Sequence, residues 1–214
     1  MPRDWFPELS GLDVLCLAAS GGQQAPVLAA AGASITVLDL SPGQLAADRE
    51  VALREGLSLR LDEGDMSNLE RYPDATFDLV FHPVSNCFVP DPAPVWSGCY
   101  RVLRPGGRLL AGFLNPAFFL FDEEADRSLG ELRVCHPLPY SDLEYFGRDE
   151  AERRVAAGEA LSFSHSLETQ IGAQLEAGFL LAGLYEDDWD DEATALNAFM
   201  PTSIATLAVR PGRG

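Results

Sequence analysis

Two short stretches carry residue types suited to a nucleoside ligand. Ala18, Ala19, Ser20, Gly21 and Gly22 follow an apolar run at 14–17, and none of the five has a bulky side chain. Small residues at such a place let a ligand approach the backbone, with the N–H groups of the next helix aimed at it. Asp39 closes a second, β-branched run that begins at Ser34. A carboxylate there is positioned to accept hydrogen bonds from the two hydroxyls of a ribose. Together these residues imply an adenosine-type cofactor and leave open whether it is a dinucleotide or S-adenosylmethionine. A tight turn followed by a capping carboxylate is the simpler structural alternative.

Further along, Gly64, Asp65 and Met66 offer a carboxylate and a soft apolar side chain where an adenine amino group and ring face could be read. Three histidines are candidate bases. His82 lies just beyond an apolar run, within reach of an acceptor or of the cofactor, and is the candidate catalytic residue. Asn86 beside it is a candidate polar contact for substrate. His136, between Cys135 and Pro137, reads as surface or structural, and His165 as support for a helix start. No base or cation stands near Cys87 in the sequence to make it a nucleophile. Phe113, Phe118, Phe119, Phe121, Tyr140, Tyr145 and Phe146 either line an apolar acceptor pocket or pack a cap against the rest of the chain. Trp5 and Phe6 are expected to close over that pocket.

The elements that must position these residues alternate regularly. Apolar runs at 14–17, 34–39, 57–61, 77–81 and 108–113 read as buried parallel strands, separated by helical stretches at 23–31, 42–56 and around Val95, Cys99, Val102 and Leu103. Ser41 and Pro42 supply an N-cap and a first-turn proline, and Gly32 and Gly56 supply stops. Strand and helix in turn specify a doubly wound α/β sheet. Residues 114–165 break this rhythm and read as a small inserted cap. A helix over Leu167, Ile171 and Leu175 and two strands, 179–185 and 203–209, close the chain. The acidic run at 186–192 reads as a solvated loop, since it lacks the fixed ligand spacing and central glycine of a calcium loop.

In this order and spacing, together with Arg104-Pro105-Gly106-Gly107 before the fifth strand, the chain resembles the class I S-adenosylmethionine-dependent methyltransferases. The resemblance runs over residues 13–113 and more weakly through the closing elements. It implies a Rossmann-like, mostly parallel seven-stranded sheet with an antiparallel last strand, built as one domain. That domain divides into a cofactor-binding half at about 11–113, a cap at 114–165 and closing elements at 166–210. It also implies roles. Residues 18–22 face the methionine and ribose of S-adenosylmethionine, and Asp39 binds the ribose diol with Leu40 and Gln44 nearby. Asp65 and Met66 hold the adenine, while His82 and Val84 line the cofactor floor. Two departures stand out. Ala18 and Ser20 replace the first two glycines of the family's Gly-x-Gly-x-Gly loop, and Cys16 stands where the family has an acid. An alanine there costs little if its φ is negative.

Composition narrows the partners. Fifteen basic residues against 33 acidic give a net charge of −18, and there is no lysine. Nucleic acid and anionic membrane surfaces are therefore disfavoured. No secretory signal or membrane-spanning stretch is recognisable, and four cysteines without a CxxC pair read as free thiols in a cytoplasmic protein. No metal site is implied. The expected function is methyl transfer from S-adenosylmethionine to a small-molecule acceptor. A binding module on the same fold that has lost turnover is the alternative. An NAD(P)-dependent oxidoreductase is a third reading, weakened by the absence of Gly-x-Gly-x-x-Gly and of any lysine for a Tyr-x-x-x-Lys pair.

Overall fold

A computed structural model describes residues 1–188 and 193–212. Seven strands form one sheet: β1 (Asp13–Leu17), β2 (Ser34–Asp39), β3 (Leu59–Glu63), β4 (Phe77–His82), β5 (Leu103–Leu114), β6 (Leu180–Asp187) and β7 (Ser203–Val209). Their order is β3-β2-β1-β4-β5-β7-β6. Strands β1 to β5 pair in parallel, and β7 runs antiparallel to both β5 and β6. The antiparallel last strand expected from the sequence is thus present.

Burial on both faces explains the continuous apolar runs. On β1, Leu15 and Leu17 pack with Val80, Trp96, Leu109 and Phe179. Val14 and Cys16 face the other way, toward Ile35, Val37, Leu79 and Leu110. The flanking helices are α1 (Gln24–Ala30), α2 (Pro42–Glu55) and α3 (Ala93–Val102). Helix α2 begins and ends as its sequence specifies: the Ser41 hydroxyl accepts from the Gln44 amide, and Gly56 is left-handed at φ 67°.

Several boundaries differ from the sequence reading. Arg104 to Gly107 do not turn the chain back but form the irregular start of β5, where the Gly106 amide donates to Arg210 and the pairing with β4 shifts register. Strand β6 extends through Asp187 into the acidic run. Trp189, Asp190, Asp191 and Glu192 of that run lie outside the described residues. Trp5 packs its ring onto Gly183 and Tyr185, and Phe6 packs on Phe81. The amino-terminal aromatics therefore cover a sheet face instead of closing over a pocket, because apolar surface on β4 and β6 is left open there.

The insertion after β5 holds three short helices, α4 (Glu123–Leu129), α5 (Asp142–Phe146) and α6 (Arg148–Ala156), tied by isolated bridges between Phe121 and Val134 and between Ser141 and Phe163. The chain then enters a π-helical turn, Glu168–Gly172, continued by α7 (Ala173–Glu176). No helix among the described residues is long and apolar enough to cross a membrane. Cys16, Cys87, Cys99 and Cys135 are free thiols, and only the last is exposed.

Candidate active site

Because β1 to β5 are parallel, their carboxyl ends share one edge, where ligands of doubly wound sheets bind. The loop after β1 is the first part of that edge. Its alanine and serine do not adopt the expected negative φ: Ala18 lies at φ 44° and Ser20 at φ 51°. The chain keeps the left-handed path that glycines would take and carries the strain of a Cβ at both positions, about 1 kcal/mol each.

What holds the path is helix α2. The Gly21 amide donates to Gln44 Oε1 at 2.7 Å, and the Gly22 amide donates to Asp48 Oδ1 at 2.8 Å. A Cβ on Gly21 would lie 2.1 Å from the Gln44 carbonyl oxygen. Gln44, expected near the ribose, thus clamps the loop. Asp48 was missed by sequence reasoning, since nothing in a helical Ala-Ala-Asp-Arg stretch marks a carboxylate that is only 3% exposed. Its pKa is raised by burial, and further by the neighbouring charge of Asp39. The amides of Ala19 and Ser20 donate to nothing among the described residues.

At the end of β2, Asp39 is buried, with Oδ1 accepting from the Ser41 amide at 2.8 Å. Oδ2 accepts nothing among the described residues. Burial raises the pKa of this carboxyl, partly offset by the Ser41 amide. Leu40 next to it is 69% exposed, an apolar side chain held in the open. An adenosyl ligand fits these features: the free carboxylate oxygen can accept from a diol, and the leucine offers an apolar surface to a ring. After β3, Asp65 is exposed and accepts from the Ser67 amide, whereas Met66 is buried in the core beside Leu38 and Leu69. Only Asp65 of that pair opens to solvent.

His82 and Asn86 are corrected by the structure. His82 has no exposed surface; its Nδ1 lies 3.2 Å from the Leu17 carbonyl, and its ring stands edge-on to Trp96 at 5.5 Å. Burial lowers its pKa to about 4, only partly offset by the Leu17 carbonyl. A sealed, neutral imidazole packed under α3 touches neither the cavity nor the open strand edge in this conformation, in contrast to the catalytic and cofactor-floor positions expected from the sequence. Asn86 is likewise fully buried, donating to Gln170 Oε1 at 2.5 Å, and the Asn86 carbonyl lies 3.2 Å from His165 Nε2. It belongs to an internal network that continues through Gln174 to Thr206 of β7. His165 serves this network rather than a helix start. Val84 does reach the site edge, at the wall of a cavity.

That cavity, of about 470 Å³, opens beyond the carboxyl ends of β4 and β5, with Val84 and Leu114 on its sheet side. Its cap side carries Phe118, Phe119, Phe121, Tyr140 and Phe146. Phe113 does not take part, being fully buried in β5. Asp126 of α4 closes one rim by accepting from the Thr194 hydroxyl and the Ala195 amide. His136, read from sequence as surface or structural, is on the cavity wall, 4.7 Å from the rings of both Tyr140 and Tyr145. Burial pushes the Cys87 thiol up to about 11, so it is no nucleophile.

Known proteins resemble this chain in sequence and in fold. The profile of a family described as a methyltransferase domain matches residues 15–111. A Bacillus subtilis protein named uncharacterized methyltransferase YbaJ is 47% identical over 210 residues, 98% of this chain and 81% of that protein. A ubiquinone biosynthesis O-methyltransferase of Xylella fastidiosa is 32% identical over 113 residues, covering 53% of this chain and 46% of that enzyme. Among solved structures, an S-adenosylmethionine dependent methyltransferase from Mesorhizobium loti superposes with a TM-score of 0.71 at 20% identity, over 97% of this chain and 95% of that one. At that identity the likeness establishes the fold.

Proposed function

The chain belongs to the class I S-adenosylmethionine-dependent methyltransferases, and from that premise we propose that it methylates a small, uncharged, ring-bearing acceptor seated in the cap cavity. S-adenosylmethionine is the cofactor, and when bound it supplies a methyl group whose bond to sulfur leaves its electron pair on sulfur, giving a neutral thioether.

The observation that carries this reading is the shared edge. The free Asp39 Oδ2, the exposed Leu40 and the unbonded amides of Ala19 and Ser20 lie at the carboxyl ends of β1 and β2. The aromatic-walled cavity lies at the carboxyl ends of β4 and β5 on the same edge. A cofactor at the first pair and an acceptor at the second meet near Val84. Residues 18–22 with Asp39, Leu40 and Asp65 are the side of the site that would hold the cofactor, Asp39 taking the diol.

The aromatic side chains on the cavity wall, Phe118, Phe119, Phe121, Tyr140 and Phe146, support a ring-bearing acceptor here. The net charge of −18 supports a small molecule over nucleic acid or an anionic membrane. Free thiols and the absence of a spanning helix among the described residues support a cytoplasmic setting. A binding module without turnover is not favoured, since the family model and the 47% identical relative are both named for methyl transfer.

Isothermal titration tests the cofactor part. S-adenosylmethionine and S-adenosylhomocysteine are expected to bind, NAD and NADP are not, and Asp39→Asn is expected to weaken the adenosyl ligands about tenfold or more. Unchanged affinity in Asp39→Asn overturns the placement. Failure of the wild type to bind either adenosyl ligand overturns the function.

A further inference from the structure

The cap cavity contains, among the described residues, one nitrogen base with nothing assigned to it. Among the described residues each other titrating side chain on its wall is already committed, apart from the Cys87 thiol, which burial keeps protonated. Glu123 is paired with Arg127. Asp126 accepts from Thr194 and Ala195. Asp142 accepts from the Tyr140 hydroxyl and from the Ser162 amide. The Tyr140 hydroxyl is driven to hold its proton by burial and by that same hydrogen bond to Asp142. Arg154 stacks on Phe146 at 3.9 Å and pairs with Glu150 and Glu159. His136 is different. Both its contacts are ring contacts, and neither nitrogen has a hydrogen-bond partner among the described residues.

These commitments also define the acceptor. Among the described residues both guanidinium groups on the wall, those of Arg127 and Arg154, face carboxylates, so neither is free to neutralise a carboxylate or phosphate on the substrate. The remaining surface is aromatic and aliphatic, which suits a planar apolar ring. A general base is required only when the attacking atom must shed a proton, as a hydroxyl must. An imidazole can take that proton from an aromatic hydroxyl, whose pKa is near 10 as in tyrosine, far more readily than from an aliphatic alcohol.

We propose that His136 is the general base of the cap cavity and that the acceptor is a neutral aromatic hydroxyl compound. The proposal rests on the methyltransferase reading and adds to it a substrate class and a residue. The acceptor O–H bond breaks toward a ring nitrogen of His136. Its electron pair stays on oxygen, which forms the new bond to the methyl carbon. The imidazolium then returns its proton to water. Tyr140 and Tyr145 hold the ring from two sides and offer π surface to the imidazolium while it carries charge.

The test uses 4-nitrophenol, whose phenolate has its own visible absorption band, added to the cofactor-free protein. On wild type the bound probe is expected to show a phenolate-to-phenol ratio several-fold above that of the free probe at the same pH. His136→Gln, which keeps hydrogen bonding without the basicity, is expected to bind the probe and abolish that excess. With S-adenosylmethionine present, the same variant is expected to lose roughly 10²-fold in kcat on a phenol, with KM little changed. His136→Asn serves as the second variant, and an unchanged melting temperature and S-adenosylhomocysteine affinity certify that either variant is folded. An equal phenolate excess in wild type and folded variants overturns the role of His136. Absence of probe binding to a wild type that still binds S-adenosylhomocysteine overturns the substrate class while leaving the methyltransferase reading intact. Loss of adenosyl binding by wild type would be the separate failure of that reading.

Discussion

The backbone amide of Gly22 donates to the carboxylate of Asp48 at 2.8 Å, across 26 residues of sequence and from one helix to the loop before another. A carboxylate this buried, with a second carboxylate nearby and no cation against it, is costly, and the loop amide is what compensates. Asp48→Ala is therefore expected to free the loop at 18–22, lowering unfolding stability by about 1–3 kcal/mol and S-adenosylmethionine affinity along with it. Asp48→Asn keeps an acceptor oxygen and should retain most of both. Denaturant melts and calorimetry on the pair check this; equal affinity in all three proteins would show that the clamp is irrelevant to the ligand.

Ala18 and Ser20 hold positive φ values of 44° and 51° with a Cβ in place. Removing that Cβ should relieve strain, so Ala18→Gly and Ser20→Gly are each expected to raise stability by up to about 1 kcal/mol, less the extra chain entropy that glycine gives the unfolded state. A drop in melting temperature for both variants would contradict this.

Gly21 is constrained by space. A methyl group there would sit 2.1 Å from the Gln44 carbonyl, backbone against backbone, with no flexible side chain to yield. Gly21→Ala is expected to force the loop off α2, costing more than about 2 kcal/mol and abolishing detectable adenosyl binding. Gly56→Ala, at a helix stop with open space around it, should cost about 1 kcal/mol and leave binding alone.

His82 gives the fold an acid sensitivity. Its pKa falls from 6.5 unfolded to about 4 folded, so between those values the unfolded chain binds the extra proton. Stability is unaffected by this group above 6.5 and declines as pH falls toward 4. At about pH 5 the loss is about 2 kcal/mol. Asp39 and Asp48, raised by burial, act in the opposite sense and gain stability on acidification. Urea melts of wild type and His82→Gln across this window should show a shallower acid decline in the variant; parallel curves would refute the assignment.

Much of this protein was legible along the chain. The runs ending at Leu17 and Asp39, the Ser41-Pro42 start and the Gly56 stop are local signals, because hydrophobic periodicity and capping act over a few residues. They mark the alternation of strands and helices and the strand ends that Asp39 and the small-residue loop occupy, whereas the antiparallel closing strand was implied by the family resemblance and the order of strands in the sheet came from the structure. Which polar side chains face that edge was decided only in three dimensions. His82 is sealed by Trp96 from α3, and Asn86 by Gln170, 84 residues away. His136 reaches the cavity because the cap folds its short helices back over the ends of β4 and β5. Residue type and spacing tell which groups a strand end can offer. Burial is set by distant parts of the chain, and it is burial that separates a group able to take a proton from one that must stay neutral.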